Sequence, residues 1–245
     1  MSHDSTARPI FHLLHLSSLS TYEQLQLEEA LLRADEHNWC LLNHGSHPAL
    51  IMGISGQPHQ LLHQDLFKQK PLPLIRRFSG GGTVVVDEQT CFISFICQTN
   101  TLPVLPFPEK IMRWTEEIYR PIFGPLPFSL QENDYVIGHH KCGGNAQSIT
   151  KQRWLHHSSF LWDYCPQKMS YLTMPPKTPA YRKHRTHEDF LCRLKEYWST
   201  PEEFLQAIKQ ELYKHFHVIE KTYEEVIEVK QKPHRQALQW INLYS

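Results

Sequence analysis

The sequence lacks the features that mark membrane-spanning, secreted and metal-centred proteins. Its apolar runs, such as 49–54 and 91–97, are far shorter than the roughly 20 residues that a spanning helix needs. The N-terminus has no basic stretch followed by an apolar core, so no secretory signal peptide is predicted. The six cysteines form no CxxC pair and no zinc spacing, which indicates free thiols in a reducing, cytoplasmic compartment.

An excess of charge of one sign is also missing, because 25 Lys and Arg balance 25 Asp and Glu. This balance gives no reason to expect a nucleic-acid or membrane partner. Neither a Walker phosphate loop nor the dinucleotide-binding glycine fingerprint is present, since the three glycines 80–82 lead into a predicted strand that begins at residue 83. With 40% hydrophobic and 20% charged residues, the 245-residue chain is typical of a folded protein with one moderate-to-large domain.

The pattern of apolar residues predicts an α+β fold, in which runs of strands are flanked by helices. Helices are predicted over residues 19–38, 60–68, 109–119, 188–196 and 201–215. Strands are predicted over residues 74–78, 92–97, 134–137 and 154–162, and a β-hairpin is predicted from 39–43 and 49–53. Residues 138–147 are predicted to form a turn region, and 167–187 a long loop.

A glycine turn is the densest signal of chemistry in the chain. It reads, in order, Arg76, Arg77, Phe78, Ser79, Gly80, Gly81 and Gly82. Consecutive glycines tolerate positive φ and expose backbone N–H groups, which can form an anion-binding nest. The two arginines add fork-shaped donors that suit phosphate or carboxylate. On the residues alone, the alternative is a structural hairpin with surface arginines.

A lysine among glycines is the second signal. Lys141 lies between Gly138 and Gly144, a pattern that suggests a backbone in close approach to a ligand. The alternative is a solvated surface charge. Just upstream, Asn133 and Asp134 offer an amide and a carboxylate, and a carboxylate is a possible Mg²⁺ ligand, although both residues are also common in turns.

Two adjacent histidines lie in the predicted strand 154–162. His156 and His157 must point to opposite faces of a sheet, so they cannot both serve one site simply. A serine-nucleophile interpretation of the following Ser158 and Ser159 lacks a nucleophile-elbow motif and a clear third member.

Taken together and in order, these segments resemble the lipoate–protein ligase family, within the superfamily of biotin and lipoate A/B protein ligases. The glycine turn is similar to the family's RRxSGGG signature, and Asn133-Asp134 is similar to its Asn-Asp pair. Residues 141–146 resemble its K-x-x-G-x-A lysine motif, and residues 154–161 resemble its HHG-T-L-L strand. The resemblance covers about residues 25–194. The chain departs from the pattern at Val86, where the family has His, and at Ser158, where it has Gly.

The resemblance implies a central mixed or antiparallel sheet flanked by helices, and a reaction in two steps. Lipoate first attacks the α-phosphate of ATP, in a step that needs Mg²⁺, and a lysine of a lipoyl-carrier domain then attacks the lipoyl-adenylate. The implied carriers belong to 2-oxoacid dehydrogenase complexes or are glycine cleavage H-type proteins. The loop 171–187 is implied to close over the adenylate and keep water out.

The resemblance also implies roles for individual residues. Lys141 is the implied catalytic residue, placed between the acyl carbonyl and the phosphate. Asn133 and Asp134 are implied to address the nucleotide, with Asp134 as the possible Mg²⁺ ligand. The implied lipoyl- and phosphate-binding residues are Arg76, Arg77, Ser79, Gly80, Gly81, Gly82, Gly144, Ala146 and His157.

Two alternatives to the ligase remain open on the sequence. One is an octanoyl or lipoyl transferase of the same superfamily, which uses an acyl-thioester donor and a cysteine nucleophile. One form of that enzyme has its cysteine where this chain has Trp154, but Cys142 or another thiol could take the role. The other alternative is a non-catalytic relative that only binds lipoyl groups or carrier proteins. Biotin–protein ligase is disfavoured because its biotin-loop signature is not matched.

The domain prediction follows from the same resemblance. Residues 1–216 are expected to form the catalytic domain, and 217–245 a C-terminal extension. About thirty residues are too few to bury an independent core, since domains below about 40 residues usually need staples. No separate accessory domain is therefore expected, and a second polypeptide chain is the possible source of one.

Overall fold

Two β-sheets and the helices packed against them make up the described residues, 8–174 and 178–243, of the computed structural model. The strands are β1 Ile10–Ser17, β2 Trp39–His44, β3 Ala49–Met52, β4 Leu74–Arg76, β5 Val84–Val86, β6 Thr90–Gln98, β7 Phe128–Gln131, β8 Asp134–Ile137, β9 His140–Ile149, β10 Arg153–Leu161, β11 His217–Lys221 and β12 Gln239–Trp240. The α-helices are α1 Thr21–Ala34, α2 Pro58–Leu61, α3 Gln64–Gln69, α4 Pro108–Tyr119, α5 Pro166–Met169, α6 His187–Phe190, α7 Pro201–His215 and α8 Tyr223–Val226. Short 3₁₀ helices span Arg120–Phe123, Ala180–Arg182, Leu194–Glu196 and Ile227–Gln231.

The large sheet is mixed, which confirms the predicted fold class. Its eight strands run in the order β11-β1-β2-β6-β10-β9-β8-β7. The pairs β11–β1 and β1–β2 are parallel, and every pair from β2 to β7 is antiparallel. The small sheet has the order β12-β4-β3-β5, with β3 and β4 parallel. The family fold implied by the sequence motifs is therefore present.

The predicted hairpin from 39–43 and 49–53 is wrong, although both strands exist. Strand β2 pairs with β1 and β6 in the large sheet, whereas β3 pairs with β4 and β5 in the small one. Five of the six residues of β2 and all four of β3 are buried. Because the backbone N–H and C=O groups of a buried strand need partners, each of these strands has a neighbouring strand on both edges. The chain passes from one sheet to the other at Gly45, where φ is +81°.

The predicted turn region 138–147 is also wrong, because strand β9 runs through most of it. A Cβ added to Gly143 would lie 2.8 Å from the ring of Phe160 on the neighbouring strand β10. The aromatic ring therefore fills the space that a side chain would take, so glycine is compatible with the strand here. Only Gly138, with φ +62°, supplies the turn that leads into β9.

Two further predicted helices are shorter than expected. The segment 60–68 forms the two short helices α2 and α3, and 188–196 contains only α6 and the 3₁₀ turn Leu194–Glu196. The glycine turn also does not close a hairpin, because β4 and β5 each pair with β3 and not with one another.

Two hydrophobic clusters pack against the two faces of the large sheet. One places α1 between the sheets, with Leu27 and Leu31 packed in the same cluster as Ile51 and Ile75. The other joins the opposite face to α4 and α7. Among residues 8–174 and 178–243, no helix is both long enough and apolar enough to cross a membrane.

The segment that follows residue 216 completes both sheets. Strand β11 adds an edge next to β1, and β12 adds an edge next to β4. Between these strands, the carboxylate of the buried residue Glu29 accepts hydrogen bonds from the backbone N–H groups of Ala237 and Leu238, at 2.9 and 3.1 Å. This segment is therefore tied to α1 by a buried acceptor as well as by strand pairing.

Candidate active site

A cavity of about 560 Å³ lies where the glycine turn, α1, β9, β10 and the segment 179–191 meet. Two sets of polar residues occur at this cavity. The lysine cluster consists of Lys141, Asp134, Tyr181 and Arg182. The histidine cluster consists of His157, Glu28, Ser79 and Arg77. Much of the remaining lining is apolar, including Leu25, Ile51, Val84, Phe92, Met112 and Leu172. This combination suits a ligand with an apolar chain and a polar or charged head.

The lysine cluster is built on the β8–β9 pair. The Nζ atom of Lys141 lies 2.7 Å from Oδ1 of Asp134, and the Tyr181 hydroxyl donates to Oδ2 of the same carboxylate at 2.8 Å. A Cβ added to Gly144 would lie 3.3 Å from that Nζ atom, so the glycine leaves the space through which the lysine side chain runs. The Lys141 side chain is 23% exposed and can reach a ligand in the cavity.

The residues around Asp134 do not form a site that would hold Mg²⁺ by itself. Both carboxylate oxygens are already engaged, one by Lys141 and the other by Tyr181. Within residues 8–174 and 178–243, no group of three His, Cys, Asp or Glu side chains is placed to coordinate a metal ion. The geometry gives Asp134 the role of partner to Lys141, and its role as a Mg²⁺ ligand stays a prediction.

The histidine cluster is a buried chain of hydrogen bonds. Nδ1 of His157 lies 2.8 Å from Oε2 of Glu28, and its Nε2 lies 2.9 Å from Oγ of Ser79. Because a carboxylate can only accept, Nδ1 carries the proton and Nε2 accepts from the serine hydroxyl. The other Glu28 oxygen accepts from Ser94 and Gln24, at 2.5 and 2.8 Å.

This chain of hydrogen bonds has the order of a serine–histidine–acid triad, but Ser79 is not placed as a nucleophile. Its side chain is 0% exposed and does not line the cavity. The serine and Glu28 instead fix the ring of His157, which does line the cavity. The arrangement therefore fixes the orientation of the His157 ring at the cavity.

The arginines of the glycine turn contact backbone carbonyls. The guanidinium of Arg77, which is 4% exposed, donates to the carbonyls of Gly80 and Gly82 at 2.8 Å each and to that of Ile51 at 3.3 Å. Burial lowers the pKa of Arg77 to about 10, against the opposing effect of Glu28, so the group stays charged at neutral pH. Arg77 therefore stabilises the glycine turn through hydrogen bonds from its buried guanidinium.

The other arginine of the turn lies outside the cavity. Arg76 donates to the carbonyls of Ile54 and Gly56, at 3.0 and 2.7 Å, and does not line the cavity. Direct binding of a ligand by either arginine of the turn stays a prediction.

Gly81 is the position in the turn that only glycine suits. Its φ is +100°, and an added Cβ would lie 2.7 Å from Nη2 of Arg77 and 3.2 Å from Cβ of Ala146. Its carbonyl oxygen would in turn lie 2.1 Å from a Cβ added to Gly53. Close backbone approach on both sides fixes the shape of the turn at the cavity.

The structure brings most of the predicted site residues to one cavity. Those that line it are Arg77, Gly80, Gly81, Gly82, Asn133, Asp134, Lys141, Gly144, Ala146 and His157. Arg76 and Ser79 do not line it. Their assigned roles in binding and catalysis stay predictions, since placement alone does not test them.

Sequence reasoning missed Glu28, Tyr181 and Arg182. A signal for Glu28 was available, because it lies three residues from both Leu25 and Leu31 on the apolar face of α1. An acidic residue on such a face is 0% exposed here and paired. Tyr181 and Arg182 lie on an irregular segment, where no periodicity distinguishes an inward side chain from an outward one.

The two remaining candidates for chemistry, Cys142 and His156, are buried behind the sheet. Cys142 is 0% exposed, does not line the cavity, and burial raises the pKa of its thiol well above the ordinary value. His156 is held by Tyr135 and Gln147, at 2.9 Å each, and burial lowers its pKa to about 3. His156 and His157 thus face opposite sides, as predicted, and Cys142 is not placed as a nucleophile.

The loop predicted over 167–187 contains α5 and the 3₁₀ turn Ala180–Arg182, and its residues 175–177 lie outside the described part of the chain. In the described part, Arg185 donates to the carbonyl of His139 at 2.8 Å, and Tyr181 contacts Asp134. The segment 178–187 therefore lies against β8 and β9, next to Lys141.

Comparison with solved structures defines the class of fold. A bi-partite lipoate protein ligase from Thermoplasma acidophilum, studied with its E2 lipoyl domain, matches with a TM-score of 0.73 and 18% identity over 91% of each chain. A lipoate-protein ligase A bound with ATP matches with a TM-score of 0.71 and 17% identity, over 92% of this chain and 93% of that one. The fold is that of lipoate–protein ligase catalytic domains.

The chain belongs to the lipoyl protein ligase A/B catalytic-domain family, whose sequence model matches residues 20–216. Among curated relatives, the protein named inactive lipoate–protein ligase 2 of Plasmodium falciparum is 26% identical over 246 aligned residues. That alignment covers 76% of this chain and 64% of the relative, so the chain spans less than two thirds of the relative's length.

Proposed function

We propose that this protein transfers a lipoyl group from lipoyl-adenylate to a lysine of a lipoyl-carrier domain. The observation that carries the proposal is the Lys141 ammonium at the cavity, 2.7 Å from Asp134 and in a segment that resembles the family's lysine motif. A compact ammonium can stabilise negative charge on both the acyl oxygen and the departing phosphate as the carrier amine attacks. The amide N–C bond forms, the C–O bond to the phosphate breaks, AMP leaves with the electron pair of that bond, and the attacking amine gives up one proton to solvent.

The neighbouring groups support this role for Lys141. Asp134 and Tyr181 hold the lysine in the absence of substrate, and a substrate phosphate would compete with the carboxylate for the ammonium. The apolar lining gives the acyl chain a place to be buried, at roughly 0.8 kcal/mol for each CH₂ group removed from water. His157, fixed by Glu28, offers the cavity an oriented ring.

We also infer that formation of the adenylate from ATP and lipoate is weak in this chain alone. The support comes from two similar proteins. The T. acidophilum ligase is bi-partite, and the P. falciparum relative is named inactive as a ligase. On this proposal ATP with Mg²⁺ and lipoate are substrates, and a separate chain assists their reaction.

The test gives the purified chain a lipoyl domain and one of three donors. The donors are preformed lipoyl-adenylate, lipoate with Mg-ATP, and an octanoyl-carrier thioester, and the modified lysine is detected by mass spectrometry. The proposal expects fast modification from the adenylate and at most slow modification from ATP. Robust ATP-dependent lipoylation overturns the inference on adenylation. Transfer from the thioester alone identifies an acyl transferase, and no transfer from any donor identifies a non-catalytic binder.

A further inference from the structure

Arg182 is a buried cation that lines the cavity and has one enclosed donor without a partner. Its side chain lines the cavity, yet the residue is only 4% exposed. Its Nε atom donates to the carbonyl of Arg185 at 3.0 Å, while its Nη2 atom has no hydrogen-bond partner. A buried guanidinium N–H without an acceptor is costly, so a ligand that neutralises or accepts from the Arg182 guanidinium would stabilise this arrangement.

The guanidinium is held in place before any ligand arrives. The Phe190 ring lies under it, with Cζ 4.7 Å from the ring centroid. The Arg185 side chain closes the same turn from the other side, because it donates to the carbonyls of Arg182 and Tyr181 at 3.0 Å each. A donor with so little freedom loses little conformational entropy on binding, which favours affinity for a ligand of matching geometry.

The other charged side chains of the described cavity are already paired or bonded. Lys141 is paired with Asp134, Glu28 is bonded to His157, and Arg77 donates to carbonyls of the glycine turn. Arg182 forms no direct ion pair among the described residues 8–174 and 178–243, although Asp134, which pairs with Lys141, raises the pKa of Arg182 against the larger effect of burial. Two cations of the cavity therefore depend on one carboxylate, and an anion would neutralise the charge that is left over.

We propose that Arg182 binds the phosphate of the acyl-adenylate, next to Lys141. The link between the two cations is Tyr181, adjacent in sequence to Arg182 and hydrogen-bonded to the carboxylate that pairs with Lys141. The planar guanidinium suits a phosphate oxygen, whereas Lys141 is left to act on the bond that breaks. This inference rests on the proposed function, because it names the residue that recognises the leaving group.

The test measures binding of three ligands by calorimetry. The first is the octyl ester of AMP, an unreactive phosphodiester that keeps the acyl-adenylate's chain, phosphate and nucleoside. The second is free lipoate, which offers a carboxylate, and the third is neutral lipoamide. The variants are Arg182→Gln and Arg182→Lys, and the matched control is Lys183→Gln, which removes an exposed cation from the neighbouring position.

The Arg182→Gln variant is expected to bind octyl-AMP about tenfold or more weakly than wild type, because a charge-assisted hydrogen bond is lost. Binding of lipoamide is expected to be unchanged, and Lys183→Gln should bind all three ligands like wild type. Arg182→Lys keeps the charge without the fork, so an intermediate loss is expected. It also serves as the second variant if Arg182→Gln does not fold.

The outcomes separate this inference from the proposed function. If wild type does not bind octyl-AMP, the proposed function fails and the inference fails with it. If wild type binds it and both Arg182 variants bind equally well, the inference is overturned and the proposed function stands. A loss confined to free lipoate would make Arg182 a carboxylate site, which also overturns the assignment to phosphate.

Discussion

The two polar clusters at the cavity differ in how their charges are satisfied. In the histidine cluster, Glu28 is fully buried and bonded on both oxygens, and Arg77 is bonded to backbone carbonyls on three sides. In the lysine cluster, Lys141 is partly exposed and has one ion pair, and Arg182 keeps a free donor. A fully paired network contributes rigidity, whereas contacts that a ligand can replace leave room for binding and chemistry. We therefore propose that the histidine cluster fixes the shape of the cavity and that the lysine cluster takes part in the chemistry.

Mutations in the lysine cluster are expected to lower the rate of transfer and to leave the free energy of unfolding nearly unchanged. Lys141→Ala is expected to lower single-turnover transfer from lipoyl-adenylate on the order of 100-fold or more, as when a transition-state donor is removed. Its free energy of unfolding should change by less than about 1 kcal/mol, because the ion pair is partly solvated. Lys141→Arg should also be poor, since a planar fork does not replace a compact ammonium.

The control for this prediction is Lys151→Ala, which removes an exposed lysine from the β9–β10 turn. It should leave both transfer and unfolding unchanged. A Lys141→Ala protein that retains more than about a tenth of wild-type transfer would remove Lys141 from the centre of the chemistry.

A change at Gly81 in the glycine turn is expected to weaken ligand binding. Gly81→Val places a β-branched side chain at φ +100° and against Arg77, so octyl-AMP affinity is expected to fall at least about tenfold. Lys151→Ala, at an exposed position of the β9–β10 turn, is the control and should bind like wild type. Calorimetry on both, with circular dichroism to verify folding, makes the comparison. Equal affinity in a folded Gly81→Val protein would contradict the role given to the turn.

Mutations in the histidine cluster are expected to lower mainly the free energy of unfolding. Glu28→Ala leaves His157, Ser94 and Gln24 without their buried acceptor, so a loss of about 2–4 kcal/mol in the free energy of unfolding is expected. Urea unfolding measures it, and Glu117→Ala, at an exposed position of α4, is the control. If Glu28→Ala unfolds like wild type but transfers as poorly as Lys141→Ala, the division between the two clusters is wrong.

The smallest effect on transfer is expected for a mutation of Cys142, which is buried and does not line the cavity. Cys142→Ser should keep transfer from lipoyl-adenylate within about twofold and cost about 1 kcal/mol of stability, because a hydroxyl replaces a thiol in a buried position. The new hydroxyl can keep the hydrogen bond that the thiol donates to the Tyr135 carbonyl. An inactive variant, together with a thioester trapped on Cys142 of the wild-type protein, would instead favour the cysteine-dependent transferase.

The sequence correctly predicted those elements of the structure whose signal lies in neighbouring residues of the chain. Helix α7 was predicted with its observed bounds, because Pro201 suits a helix start and apolar residues recur at helical spacing. The structure adds the cap, since the Thr200 side chain accepts from the backbone N–H of Glu203. Strand β10 and the opposite facing of its two histidines also followed from local pattern. Of the twelve site residues that the motifs predicted, ten line the cavity.

What the sequence did not reveal depends on contacts between distant segments. Strands β2 and β3 are both buried, and a short apolar strand does not indicate which of two sheets it joins. The partner of His157 is 129 positions away, on α1. The inward direction of Arg182 is set by Phe190 and Arg185 on an irregular segment, where no spacing rule applies.

The central claim is that the lysine cluster takes the reacting end of the acyl-adenylate while the histidine cluster keeps its own bonds. A crystal structure with octyl-AMP bound tests it most directly. The account predicts the phosphate within hydrogen-bond distance of Lys141 Nζ and of the Arg182 guanidinium, with Arg77 still bonded to the carbonyls of Gly80 and Gly82. A phosphate bound by Arg77 instead, with Lys141 still paired to Asp134, would contradict it.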